Sequence, residues 1–440
     1  MKKSTLIVVL VAIALGAFVY FYDRKHSATP PSSEASWKPA FFVKADQITG
    51  LTLDSNSGKA VLEKQKNTWW IAQPVSTRAD QTTISRIVND LSGAKIHRSF
   101  VPTDSLSNYG LAQPAVTIEF QATNGAKHTL RLGNQDFSGS AVYALVDASK
   151  NVALLPVSLL NETNQPVSQL RDRSLLDLQS AQITGITLDD PSGTIALAKQ
   201  ASTWKITKPR QAPIDSGAVD SLVTALSNDK FTNVASETPD DLAKYGLSRP
   251  AVTVDVATAA GRQFHLLIGK KTGDEYYARD TARPMVFEIS SSVYDSFDKK
   301  FFDLRDKSIL HFDPANVATI EIHNANGVIK CAQGMNDSWK IIAPAADKGK
   351  TAQSWKVLDP IQNARAKQIY DTPSAAILAR LAKPAIEVTL TDKAGKKTTV
   401  SISAAAGKSV YARTSEGPSV YELNSQILKD LGFKAADMLM

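Results

Sequence analysis

STWKITKP, residues 202–209, decides how this chain is read, because nearly the same string occurs before it and after it. NTWWIAQP fills residues 67–74 and DSWKIIAP fills residues 337–344. Trp69, Trp204 and Trp339 are spaced 135 residues apart, and Pro74, Pro209 and Pro344 keep that step. Self-similarity at a fixed period marks one structural unit repeated in tandem. Ile71, Ile206 and Ile341 each follow their tryptophan by two positions, which puts the pair on one face of a strand. Such a face is core, so Trp69, Trp204 and Trp339 are expected as repeat core residues rather than a ligand platform.

Working outward, ITGLTLD (residues 48–54) matches ITGITLD (residues 183–189), and VATIEI (residues 317–322) opens the third copy more loosely. Each run alternates apolar with polar, then passes through Ser57-Gly58, Ser192-Gly193 or Asn326-Gly327 into a second alternating run. This pattern predicts a hairpin with the tryptophan strand as its third member. A helix follows. Asp80 precedes Ile84, Ile87, Val88 and Leu91, and Asp215 precedes Val219, Leu222, Val223 and Leu226, an apolar stripe behind an N-cap. The third copy keeps Val357, Leu358 and Ile361 but has Ser354 at the first position and Pro360 inside, so a short or kinked helix is expected there. YGLAQPAVT (residues 109–117) and YGLSRPAVT (residues 245–253) form a second signature, which the third copy keeps only as ARLAKPAIE (residues 379–387). Pro114, Pro250 and Pro384 are each expected to begin a strand and to belong to the repeat core set. LRDRS (residues 170–174) and LRDKS (residues 304–308) close the first two copies. They are read as charged junctions between units, since the third copy ends the chain without one.

At 440 residues the chain has room for about three domains. Its 43% hydrophobic and 21% charged residues suit globular units that each bury a core. The net charge of +7 is scattered rather than clustered, which argues against a nucleic-acid partner. Met1-Lys2-Lys3 precedes the uncharged run STLIVVLVAIALGAFVYFY (residues 4–22), read as an uncleaved transmembrane helix at the short end of the range. HSATPPSSEASWKP (residues 26–39) then reads as a Pro/Ser-rich tether. The single cysteine, Cys331, allows no intramolecular disulfide and no Cys-rich zinc site.

Chemical clusters do not emerge from the spacing. His26, His97, His128, His265, His311 and His323 lie far apart, with no HExxH, no GxSxG and no phosphate loop, so no catalytic residue, metal site or cofactor is assigned. His128 and His265 are expected as surface histidines on edge strands. Exposed aromatics are the candidate partner contacts: Trp37, Phe41 and Phe42 after the tether, and Trp70, which stands where the sister copies have Lys205 and Lys340.

The ITGLTLD opening, the TWxI strand, the YGL and PAVT block and the LRD closure together resemble the DUF4340 family of bacterial envelope proteins. That resemblance implies a role beside an ABC-type export system whose permease and auxiliary subunits are similar to those linked to gliding motility. It carries no catalytic residues over. The expected architecture is an α+β chain: a transmembrane helix (residues 1–25), a linker (26–40) and three units (41–178, 179–313 and 314–440). Each unit is a mostly antiparallel sheet with one or two packed helices. The expected function is a non-enzymatic, membrane-anchored accessory or scaffold subunit held outside the cytoplasm. The alternative is an envelope glycan- or lipid-binding module.

Overall fold

Alternating residues do form the hairpins. Ile48–Ser55 pairs antiparallel with Gly58–Gln65, closing at Ser55 opposite Gly58, and Thr68–Gln73 adds the third strand. Leu51, Leu53, Leu62, Trp69 and Ile71 are buried on one face, while their neighbours along each strand remain half or fully exposed. The computed structural model describes residues 37–335 and 338–440.

The chain divides into two compact bodies, the first ending at Arg173 and the second being Ser174–Met440. The first body holds a nine-stranded antiparallel sheet. Its order runs Thr77–Arg78, Thr68–Gln73, Gly58–Gln65, Ile48–Ser55, Val116–Ala122, Lys127–Gln135, Ala141–Val146, Val152–Pro156, Arg98–Phe100. A small pair, Lys38–Pro39 with Lys95–Ile96, lies beside it. The second body holds two eight-stranded sheets of the same connectivity, lacking only the counterpart of Thr77–Arg78. One begins with the strands Ile183–Asp190 and Gly193–Gln200, the other with Val317–Asn324 and Gly327–Gln333.

One helix covers the apolar face of each sheet. In Gln81–Gly93 the Asp80 carboxylate accepts from the Thr83 amide at 2.9 Å, and in Ser216–Asn228 Asp215 accepts from Ala218 at 3.1 Å. These caps satisfy donors that the first helical turn leaves free. Ile84, Ile87, Val88 and Leu91 are buried on the first helix, each worth about 1.5–3 kcal/mol of burial. The third helix, Trp355–Asn363, has nine residues against 13 in the others, contains Pro360 and lacks a side-chain cap.

The α+β expectation is corrected: among the described residues the architecture is mostly β, in four antiparallel sheets. The amphipathic stripe is real but recurs only once per copy, and the remaining helices are short. The LRD closures, for example, follow single turns, Val167–Leu170 and Phe301–Leu304. Among the described residues no helix is long and apolar enough to cross a membrane. None of the described helices supplies the expected transmembrane helix, and residues 1–25, on which it was placed, lie outside the described residues. The linker expected to run to residue 40 ends early, because Lys38–Pro39 is paired and the Ala40 amide donates to the Ala94 carbonyl at 2.8 Å. Leu175, Leu176 and Leu178 belong to the core of the sheet that follows them, and so do Ile309 and Leu310.

Candidate functional site

The outer edge of the tryptophan strand is where the three copies part. In the first body Trp70 pairs with Arg78 and Ile71 with Thr77. The Ala79 amide donates to the Trp69 carbonyl at 3.1 Å, and Gln81 bridges the same residue, accepting from the Trp69 amide at 2.8 Å and donating to its carbonyl at 2.9 Å. The third sheet covers its own edge similarly. There Lys340 faces Thr351, and the Ala352 amide donates to the Trp339 carbonyl at 2.9 Å. In the second sheet only the first rung survives, Ile206 opposite Ala212, with the Ala212 amide donating at 3.3 Å.

Sequence explains the break. Pro213 occupies the position of Arg78 and fixes the backbone just before Ile214, the counterpart of the Ala79 whose amide makes the second rung in the first body, and that rung is not made here. Ser216 occupies the position of Gln81 and is too short to bridge. The covering segment diverges after Ala212 and leaves a groove of about 710 Å³ between Trp204 on one side and Pro213, Ile214 and Ser216 on the other. Trp204 is half-buried as a result, whereas Trp69 and Trp339 are only 4% and 8% exposed. By the parity of the paired strands, the Trp204 amide and carbonyl point into this groove.

Acidic side chains line the opposite wall. Asp306, the counterpart of Asp172, accepts from the Ser308 amide at 2.9 Å and meets His311 at 2.8 Å. In the first body Asp172 instead lies 3.6 Å from Arg78. Asp220 also borders the groove and is exposed.

The closing motif performs a second task beside the groove. Its backbone returns to its own sheet: the Asp215 amide donates to the Leu304 carbonyl at 2.9 Å, as the Asp80 amide does to Leu170 at 2.8 Å in the first body. The Arg305 side chain, only 6% exposed, reaches into the next sheet and makes a bidentate contact with Asp371 at 2.8 and 2.9 Å. Arg210 joins the same carboxylate, Ser419 donates to it at 3.1 Å, and both guanidinium groups lie over the Phe301 ring at 4.8 and 5.4 Å. Burial pushes the Asp371 carboxyl up, but the hydrogen bonds and charge of Arg305, with Ser419 and Arg210, outweigh it and hold the group below the ordinary carboxylate range. In the third copy Met438 fills the Leu304 position, and Leu439 after it brings no guanidinium.

Other residues singled out from the sequence lie elsewhere. Phe41, expected at the surface, is 3% exposed and packs edge-on against Phe120 at 4.9 Å, because the preceding strand draws it inward. Phe42 is 90% exposed. Trp37 stacks on His97 at 3.8 Å, and Trp70 is half-buried on the sheet face opposite Trp69. Pro114, Pro250 and Pro384 are half-buried two residues ahead of the strands Val116–Ala122, Val252–Thr258 and Ile386–Asp392, so they introduce strands rather than fill the core. His128 and His265 sit on inner strands, not edges, and pair with Asp147 and Asp255 at 3.0 and 2.6 Å. Among the described residues no group of three or more His, Cys, Asp and Glu is placed to hold a metal ion. Pro213, Ser216, Arg210 and Asp371 escaped the sequence reading.

A family model described as a domain of unknown function, DUF4340, matches residues 69–203 and 204–380. The chain belongs to the DUF4340 family. Both matched segments begin on a repeat tryptophan, the second on Trp204 itself. The DUF4340 unit so defined starts one strand after the hairpin that opens each sheet, so each match ends beyond the start of the next sheet. No curated protein matches the chain.

Proposed function

We propose that this DUF4340 protein is a non-enzymatic scaffold that works by protein contact, an accessory subunit beside an ABC-type export complex outside the cytoplasm. One observation carries the reading. In the second body the buried guanidinium of Arg305, joined by the more exposed Arg210, grips Asp371 and links one sheet to the next, so this charge cluster holds copies of a platform together. A charge-assisted bidentate pair fixes orientation as well as adding energy, which suits a part that presents surfaces in register. The export complex as partner comes from the family resemblance.

The test is affinity capture of the tagged full-length chain from crosslinked cells, with mass spectrometry of what is retained. Recovery of a transport permease or its auxiliary subunit, above a control tagged on an unrelated envelope protein, supports the reading. Recovery of neither overturns it.

A further inference from the structure

The groove beside Trp204 has an internal precedent for its occupant. In the first body the same edge is covered by the chain's own extended Thr77–Arg78, and in the third sheet by Lys350 and Thr351. Both covering segments are short, extended and polar, with a cation. The first places its cation beside Asp172. The second sheet keeps the acid, as Asp306, but has Pro213 in place of the cation. Asp220 joins the lining, so that Lys205, Asp220 and Asp306 together carry a formal excess of one negative charge, with His311 beside Asp306. The outward amide and carbonyl of Trp204 supply one antiparallel rung, and the half-exposed indole supplies an apolar contact surface. The volume falls in the roughly 300–1,000 Å³ range of ligand pockets.

We propose that this groove takes an extended segment of a partner protein, laid antiparallel beside Trp204, with a Lys or Arg side chain toward Asp306 and Asp220 and a small residue next to it. Strand addition of this kind draws affinity from backbone hydrogen bonds and specificity from alternate side chains. The inference deepens the scaffold reading by naming how one contact is made.

The probe is the capped peptide STRADQ, residues 76–81 of the first body, added at ~1 mM to the full chain, with hydrogen exchange read on the segment containing residues 202–208. Exchange at Trp204 is expected to slow about fivefold with STRADQ and to stay unchanged with the same peptide carrying Glu in place of Arg. The double variant Pro213→Arg, Ser216→Gln rebuilds the first body's covering segment. It is expected to protect Trp204 without peptide and to lose the response, while remaining folded by circular dichroism. No slowing at that concentration overturns the proposal, as does equal slowing with the Glu peptide. Protection that rises with protein concentration in the absence of peptide, with dimers in sedimentation, also overturns it and assigns the edge to a second copy. Protection by cell-wall muropeptides but not by STRADQ overturns it in favour of a glycan. The two proposals fail separately. If the wild type captures transport subunits and the double variant captures them equally, the groove assignment fails and the scaffold reading stands. If the wild type captures none, the scaffold reading fails and the peptide experiment alone decides the groove.

Discussion

Trp204 and Trp339 occupy the same strand of two sheets with the same connectivity inside one compact body, yet Trp339 is sealed at 8% exposure and Trp204 lies half open. The strands themselves do not differ in kind, since both pair with the preceding hairpin strand and carry a bulge at the matching place. What differs is the segment after the strand, where the Ala352 amide carries the ladder on to Trp339, whereas in the second sheet the ladder ends at the rung between Ile206 and Ala212. The ends of the two sheets contrast as well. The second sheet donates Arg305 to its successor, while the third has Leu439 at the matching position. Repetition therefore conserves the sheet and lets the edges diverge, and edges are where an extended partner can add.

The clamp offers the largest way to break the comparison. Arg305→Ala leaves Asp371 partly buried with Arg210 as its remaining guanidinium partner, and should cost the second body about 3 kcal/mol. The reciprocal change, Leu439→Arg, falls at a partly exposed position and should stay within about 0.5 kcal/mol. Urea unfolding monitored by hydrogen exchange over residues 365–371 checks both. Equal losses from the two variants would mean that Arg305 acts through packing in its own sheet.

Next comes the contact that the third copy has abandoned. Gly110 and Gly246 end their turns with φ of 69° and 72°, a conformation that glycine adopts without steric cost. The turns press on Gly133 and Gly269, where an added Cβ would stand 2.2 and 2.1 Å from the carbonyl oxygens of Tyr109 and Tyr245. In the third copy the Tyr-Gly turn is replaced by the helix Ala375–Leu381, and the matching position holds buried Ser403, which accepts from the Tyr411 amide at 3.0 Å. Gly269→Ala should cost about 2 kcal/mol through displaced backbone, and Ser403→Ala about 1 kcal/mol through one unmet amide. Thermal unfolding of each variant measures the order. A smaller loss at Gly269 would show that the turn moves aside freely.

How far these features could be read beforehand follows from their range. Hairpins, the helix stripe and the Asp80 and Asp215 caps depend on residues within a turn or two of one another, so periodicity finds them. Phe41 misled because the Pro- and Ser-rich run before it reads as solvated, whereas Lys38–Pro39 forms a strand and carries it inward. Asp371 meets arginines 66 and 161 residues earlier, a distance at which pattern carries no signal. The groove sits between these cases. The step that aligned the tryptophans also aligns Arg78 with Pro213 and Gln81 with Ser216, so a rigid proline and a short side chain stand where the first body has an extended cation and a bridging amide, a legible change.

Closing the groove should have a smaller effect of opposite sign. Pro213→Arg with Ser216→Gln restores hydrogen bonds to the Trp204 edge, and should stabilise the second body by about 1 kcal/mol, within the net worth of one or two such bonds. A melting temperature raised by a few degrees is the expected reading, about 2–4 °C per kcal/mol at this size. An unchanged or lowered value would show that the segment after Ala212 is held apart by something other than its sequence.

The smallest effect is a pH dependence confined to the acid side. The folded Asp371 carboxyl lies below its ordinary value, so the folded state binds its proton less readily than the unfolded chain does. Its contribution is then fully present above the ordinary carboxylate pKa and is lost as pH falls through the lower folded value. Between neutrality and about pH 5 this carboxylate should therefore leave the stability of the second body unchanged, and below about pH 4 it should add to the loss. Asp371→Asn removes the titration while keeping the shape, so its stability at neutral pH drops and its further decline in acid is shallower than that of the wild type. Parallel acid profiles for wild type and Asp371→Asn would mean that the clamp draws its strength from packing over Phe301 rather than from the ion pair.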